Sequence, residues 1–416
     1  MQHEFERQGL GYVLRIPEIA TEIAVGRLVQ RAGDMHGEVT VTSGLPGTRS
    51  ADGYLHSARM NLASMTARLG LSKALTVRAN APEVDWTDLL ETFCRRVLAA
   101  ERAGEPIELA GTRPQRITPP WRVDPILAMD KPTILYGEGG VGKSTLSTAI
   151  AVSVETGVTI IPGWIPRRAN VLYLDWEATV DDLDERVKAI ASGANIPHPV
   201  SIRYRRCYRP LSDQVEDLAE IIAEQSIGLI VVDSIALAAG SHDGAEASEA
   251  AIRLFGAFRM LSTTILALAH VSKADQSEPG RAARPYGSVF YTNLARATFE
   301  LRRAPSAGEV ARIGVYNTKS NVRRPLLPVG LQVTQDDVIA YSRFEVTDDV
   351  DLSRPLTVWE RARAALLDGP MDDADLVDMV GSKEDVIRAT LARKRKEGKV
   401  DRDPNTRKWH LIGRAG

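Results

Sequence analysis

The stretch PTILYGEGGVGKSTLSTAI, residues 132–150, decides the fold. Its centre fits two glycine patterns. Gly137, Gly139 and Gly142 match the dinucleotide turn G-x-G-x-x-G. Gly137, Gly142, Lys143 and Ser144 match the phosphate loop G-x-x-x-x-G-K-[ST]. Both patterns place glycines between a strand and a helix, so the next residues must choose. A dinucleotide turn has no use for Lys143-Ser144. A phosphate loop does: backbone N–H groups from Gly137, Glu138, Gly139, Gly140, Val141 and Gly142 wrap the phosphates, and Lys143 reaches the β/γ oxygens. The Ser144 hydroxyl then ligates Mg²⁺, with Thr145 beside it. The helix expected over 143–157 adds its dipole to the attraction. The reading is ATP with Mg²⁺, although no base-contacting motif excludes GTP.

Working outward, TILYG, VLYLDW, IGLIVVDS and TILALAH are short apolar runs separated by helical patterns. That alternation predicts an α/β core with a mostly parallel central sheet. Ligands bind such sheets at the carboxyl ends of the strands, and acids stand at those ends here. VLYLDWE closes on Asp175 and Glu177, and either carboxylate can orient and deprotonate a water that attacks the γ-phosphate. Alternatively, both are solvated acids opening the following helix. LIVVDS presents Asp233 after four apolar residues, as a Mg²⁺-holding carboxylate requires. TILALAH ends on His270, which can touch the γ-phosphate or simply cap its strand. The later runs TFELRR, ARIGVYNTK and VIAYSRFEV read as added strands.

The bulk numbers narrow the class. The chain has 416 residues, enough for two or three domains, with 44% hydrophobic and 25% charged residues. A net charge of −2 gives no global pull toward nucleic acid or membrane, so such binding needs local patches. Cys94 and Cys207 lie far apart and suit a reducing compartment. No apolar run reaches membrane-spanning length and MQHEFERQG lacks a signal-peptide core, so the expectation is a cytoplasmic protein with no membrane partner.

The ordered set GEGGVGKST, YLDWE, LIVVDS and LALAHVSK resembles the RecA-like P-loop ATPases. Within them it looks closest to the RepA and DnaB type of hexameric replicative helicase and to related phage and plasmid ATPases. The resemblance covers about residues 125–345. It implies that Lys143 and Ser144 are the Walker A pair, Asp233 the Walker B carboxylate, Glu177 the catalytic glutamate and His270 the γ-phosphate sensor. It further implies a lysine and an arginine that reach the neighbouring subunit's γ-phosphate. Lys319, in NTKSN, stands where the lysine would, but the matching arginine position is Asn321. Arg296, Arg323 and Arg324 are the remaining candidates, with Arg296 and Arg323 favoured. Such a cation meets charge developing on the transferred phosphoryl group and is worth about 10³ or more in rate. These basic residues are equally compatible with a solvated surface.

Nucleic-acid contact is expected in the polar loop 272–288, where Lys273, Arg281 and Arg284 can hold phosphates and Tyr286 can stack on a base. The acidic segment 236–246 is a weaker second candidate. Residues 354–416 read as a winged helix: three short helices and a hairpin around Asp403-Pro404-Asn405-Thr406. Between Arg388 and Lys408 there are nine basic and three acidic residues, an excess suited to phosphates, to protein docking or to a solvated face. The expected plan is therefore an N-terminal accessory α/β region (1–110), a linker (111–124), the ATPase core (125–347) and the winged helix (354–416). The N-terminal region shows no catalytic constellation, and His3, His36 and His56 lack metal-ligand spacing.

Three functions stay open on this reading. The first is an ATP-dependent translocase or helicase on single-stranded DNA in phage, prophage or plasmid replication. It would be a homo-oligomer, with a hexameric ring the favoured form and a primase or loader as further partner. The second is a recombination or repair ATPase of the RecA/RadA kind. The third is an ATP-switched DNA-binding regulator or loader.

Overall fold

In a computed structural model of the chain, the described residues are 2–31, 33–50, 52–112, 120–197, 199–240, 245–271, 285, 289–305, 310–334, 337–353 and 356–412. They divide into two compact units, residues 1–117 with 214–224, and residues 118–213 with 225–416.

The first unit is an antiparallel meander followed by two helices. Its strands, Glu4–Gln8, Gly11–Ile16, Thr21–Arg31, Asp34–Ser43 and Tyr54–Asn61, pair in chain order. Along Asp34–Ser43 burial alternates with the period of two that a sheet with one buried face requires. Helices Met65–Ala79 and Trp86–Ala103 close that face, and Leu14, Ile23, Val41, Leu75, Leu90 and Phe93 fill the core between. Asp85 starts the second helix by accepting the N–H groups of Thr87 and Asp88. This region, expected to be α/β, is instead α+β: strands come first, helices second, and no parallel crossover occurs among its described residues. Helix Val215–Glu224, from later in the chain, clusters with this unit and pairs Asp217 with Arg27 at 3.5 Å.

The second unit is built on a nine-stranded sheet. Its order is Arg203–Arg206, Asn170–Asp175, Ile227–Asp233, Thr264–His270, Pro132–Gly137, Ala297–Arg303, Val310–Ser320, Val329–Thr334 and Tyr341–Phe344. The strands from Arg203–Arg206 through Ala297–Arg303 are mutually parallel; the last three are antiparallel. The expected mostly parallel sheet is thus present. Continuous apolar runs suit strands covered on both faces, and the strand Thr264–His270 is buried from Thr264 to Ala269. Helix Lys143–Thr156 is buried over most of its length in the main core with Leu135, Tyr173, Val231 and Leu268.

The strand order matters for chemistry. Thr264–His270 lies between the phosphate-loop strand and the strand ending in Asp233. His270 pairs in register with Gly137, and Asp175 with Asp233. Three acids, one histidine and the glycine loop therefore emerge at one edge of the sheet.

Part of the stretch expected as linker is structured. Trp121–Asp124 pairs with Leu127–Ala128 and Ile165–Pro166 in a small sheet, while 113–119 lie outside the described residues. At the other end, helices Val358–Asp368, Asp373–Val380 and Glu384–Lys396 precede an antiparallel hairpin, Val400–Arg402 with Trp409–Leu411. Ala362, Leu366, Leu376, Ile387, Leu391, Val400 and Trp409 form their own core. Asp373 ties the piece together, accepting Trp409 Nε1–H and Arg402 Nη2–H, each at 2.8 Å.

Candidate functional site

The loop 137–142 turns back on itself because Gly140 and Gly142 sit at φ 74° and 99°, where a side chain would be strained. Such turns aim successive N–H groups into one hollow. Glu138, Gly139 and Gly140 are exposed, whereas Gly137 and Val141 are buried beneath them. Lys143, only 7% exposed, folds over the loop and donates to the carbonyls of Gly137 (2.9 Å) and Glu138 (2.7 Å). Burial pushes its ammonium below the usual lysine range, while Asp233, Glu177 and Glu138 pull the other way.

Ser144 and Asp233 meet. Ser144 Oγ donates to Asp233 Oδ2 at 2.9 Å, and the phenol of Tyr173 donates to the same oxygen at 3.0 Å. Burial raises the Asp233 carboxyl above the ordinary aspartate range, Ser144 and Tyr173 oppose that, and Asp175 and Glu177 reinforce it. Thr145, one residue on, is half-buried. The donor set is hard oxygen, with a hydroxyl and a buried carboxylate side by side. That fits Mg²⁺, which keeps several waters and takes one or two protein oxygens plus substrate phosphates. Among the described residues no group of three or more His, Cys, Asp or Glu side chains is arranged to hold a metal.

Glu177 is placed by its neighbours. Asp175, fully buried, accepts the N–H groups of Glu177 and Ala178 at 2.8 Å each, pinning the turn that carries Glu177. Ser234 Oγ donates to Glu177 Oε1. His270 completes the cluster, with Nδ1 at 3.4 Å from Lys143 Nζ and Nε2 at 4.0 Å from Glu177 Oε2. The two acids expected after VLYL thus divide their work: Glu177 faces the site, 40% exposed, and Asp175 holds its backbone.

The expected trans-acting cations are elsewhere. Ala297 pairs with Thr133 and with Ser320, so Arg296, Lys319 and Arg323 cluster at the amino-terminal end of the phosphate-loop strand. Four residues of strand, about 13 Å, separate Thr133 from Gly137. Lys319 donates to the carbonyls of Thr292, Asn293 and Ala295 at 2.7–2.9 Å, capping helix Val289–Leu294. Burial, then Arg296, pushes its ammonium below the usual range. Arg323 lies over the Trp121 ring and 3.5 Å from Asp124. Arg296 is exposed, with no side-chain partner among the described residues. Lys273, Arg281, Arg284 and Tyr286, and residues 241–244 of the segment 236–246, lie outside the described residues.

Sequence reading missed Tyr173, Ser147 and Ser234. Tyr173, fully buried in its strand, shares its hydroxyl between Ser147 (3.3 Å) and Asp233. A buried phenol needs a partner, and that need was the one available signal. Arg303 was also unmarked; its Nη1 donates to the Gly140 carbonyl at 3.4 Å.

Residues 101–276 match the family model described as AAA domain. No curated protein matches the chain in sequence. Among solved structures, a KaiC-like protein from the hyperthermophilic archaeon Pyrococcus horikoshii OT3 aligns at 15% identity. The alignment covers 53% of this chain and 94% of that one, with a TM-score of 0.37. From its glycine loop to His270 the chain therefore carries a phosphate loop on a mostly parallel α/β sheet, within the span that matches the AAA domain model.

Proposed function

We propose that the protein hydrolyses ATP between subunits of a homo-oligomer and uses that cycle to move along single-stranded DNA. One observation carries the reading. Arg296 is exposed at the far end of the sheet from its own phosphate loop, a placement that suits reaching another copy's site rather than its own. ATP phosphates enter the glycine loop, and Lys143 swings from the carbonyls of Gly137 and Glu138 onto them. Ser144 and Asp233 would hold Mg²⁺, which would supply charge neutralisation on the phosphates. Glu177 accepts a proton from the attacking water, and Ser234 keeps its carboxylate aimed. His270, between Lys143 and Glu177, registers loss of the γ-phosphate and passes it to the chain that follows. The hexameric ring of the RepA/DnaB kind, a phage or plasmid setting and a primase or loader partner belong to this proposal. Specific ATPase activity should rise with protein concentration and with added single-stranded DNA, and a partial duplex should be unwound. Activity flat in both variables would sink the reading.

A second reading, an ATP-switched DNA-binding regulator or loader, is favoured by the C-terminal piece. Its three helices and hairpin have the order of a winged helix, and the last turn of Glu384–Lys396 carries Arg393, Lys394, Arg395 and Lys396. Binding to one duplex sequence, with no strand displacement, would select this reading over the first.

A further inference from the structure

The amino-terminal edge of the core sheet holds an open cleft of about 670 Å³, lined by Arg122, Met129, Arg167, Arg168, Asn170 and Gly228 among others. Arg122 is only 8% exposed. Its Nη1 donates to the backbone carbonyls of Arg167 (3.2 Å) and Arg168 (3.4 Å), and its Nε has no partner. Among the described residues no carboxylate pairs with it; Asp130 is near enough to be felt but not to pair. A buried guanidinium is costly unless an anion meets it, and burial pushes this one below the usual arginine range. A Cβ on residue 228 would stand 2.8 Å from Arg122 Nη2, so glycine there leaves that nitrogen its place in the cleft wall.

Two more guanidinium groups flank it. Arg167 is exposed, and its side-chain hydrogen-bond partner among the described residues is Met129 Sδ, at 3.9 Å. Arg168 is exposed and donates to the Glu155 backbone carbonyl at 3.2 Å. The Glu155 carboxylate offers no counter-charge, since it accepts Val171 N–H at 2.7 Å and pairs with Arg203 at 3.5 Å. Three arginines thus converge, and among the described residues none is paired with a carboxylate. Planar guanidinium forks match phosphate oxygens, and the cleft has room for a nucleotide or a short run of backbone.

We propose that this cleft binds a phosphate-bearing ligand, with Arg122 as the buried anchor and Arg167 and Arg168 as outer arms. It is separate from the phosphate loop, which opens at the other end of the strand Pro132–Gly137, and it stands whether or not the chain moves along DNA. A free phosphate ester and a phosphodiester backbone share the required chemistry, so the test has two arms. Full-length protein is first saturated with Mg²⁺ and a non-hydrolysable ATP analogue to fill the phosphate loop. Inorganic pyrophosphate is then titrated calorimetrically, and a fluorescent oligo-dT of about 20 residues by anisotropy across a salt series. The double variant Arg167→Glu/Arg168→Glu should lose pyrophosphate binding if the source is a free phosphate. If the source is a backbone, it should instead bind the oligonucleotide at least tenfold more weakly, with the salt slope lowered by about two. Arg122→Gln should act in the same direction. Arg259→Glu, an exposed charge reversal elsewhere on the same unit, should change neither. Wild-type binding that survives the double variant in both arms, or an equal loss in Arg259→Glu, would overturn the proposal.

Discussion

Tyr173 donates its phenolic hydrogen to Asp233 Oδ2 across 3.0 Å, inside a core that buries the tyrosine fully, with Ser147 as its other partner among the described residues. Together with Ser144 it fixes Oδ2 of the carboxylate that would hold Mg²⁺. Tyr173→Phe keeps the ring and removes the donor. A hydrogen bond to a charged acceptor is worth about 1.5–3 kcal/mol, so ATP turnover should fall roughly ten- to hundredfold, with a higher Mg²⁺ requirement and unchanged secondary structure. Steady-state kinetics against Mg²⁺ concentration decide it; a wild-type Mg²⁺ profile would remove Tyr173 from the site.

Asp233 also predicts a trade between stability and activity. Its folded pKa lies above the ordinary 3.8, so between those values the folded state holds more protons than the unfolded one. Stability therefore falls as pH rises through that window and the penalty persists at neutral pH. Asp233→Asn should abolish turnover yet melt above wild type at pH 7, with the gap closing as pH falls toward 4. Thermal scans across pH measure it, and a variant less stable than wild type at pH 7 would contradict the assignment.

Lys319 and Arg296 should separate by what they change. Lys319 spends its ammonium on three carbonyls at a helix end, so Lys319→Ala should cost about 1–3 kcal/mol of stability. Arg296 spends its side chain on nothing described, so Arg296→Ala should leave melting unchanged and lower turnover about 10³-fold. Mixing it with Glu177→Gln subunits should restore some activity, because each copy supplies what the other lacks. No recovery in mixtures would argue that Arg296 does not act in trans.

Asp373, with its side chain 14% exposed, holds Trp409 and Arg402. Asp373→Ala should loosen the hairpin and third helix by roughly 2–3 kcal/mol. Hydrogen exchange should rise over residues 384–411 and stay unchanged over 132–150; protection that stays uniform would refute the role.

What the sequence made legible was local. The glycine loop, the strands ending in Asp175, Asp233 and His270, and the helix from Lys143 all announce themselves within a dozen residues. The pieces it hid depend on pairing across the chain. Arg203–Arg206 is an edge strand written almost wholly in arginine, and no hydrophobic pattern marks it. Val329–Thr334 is short and is held by pairing with Val310–Ser320 on one side and Tyr341–Phe344 on the other. Thr21–Arg31 over its first half and Asp34–Ser43 alternate in burial once paired, yet the meander order of the first five strands shows only in the ladder. Arg122 stood in a stretch read as linker, and its burial comes from Gly228 and Arg167, far along the chain.

The central claim is that Lys143 grips the terminal phosphates of a nucleoside triphosphate held in the glycine loop. Lys143→Ala in otherwise intact protein should lose ATP turnover and weaken triphosphate binding at least a hundredfold, measured side by side by phosphate release and nucleotide titration. Turnover and affinity that both match the wild type would contradict it.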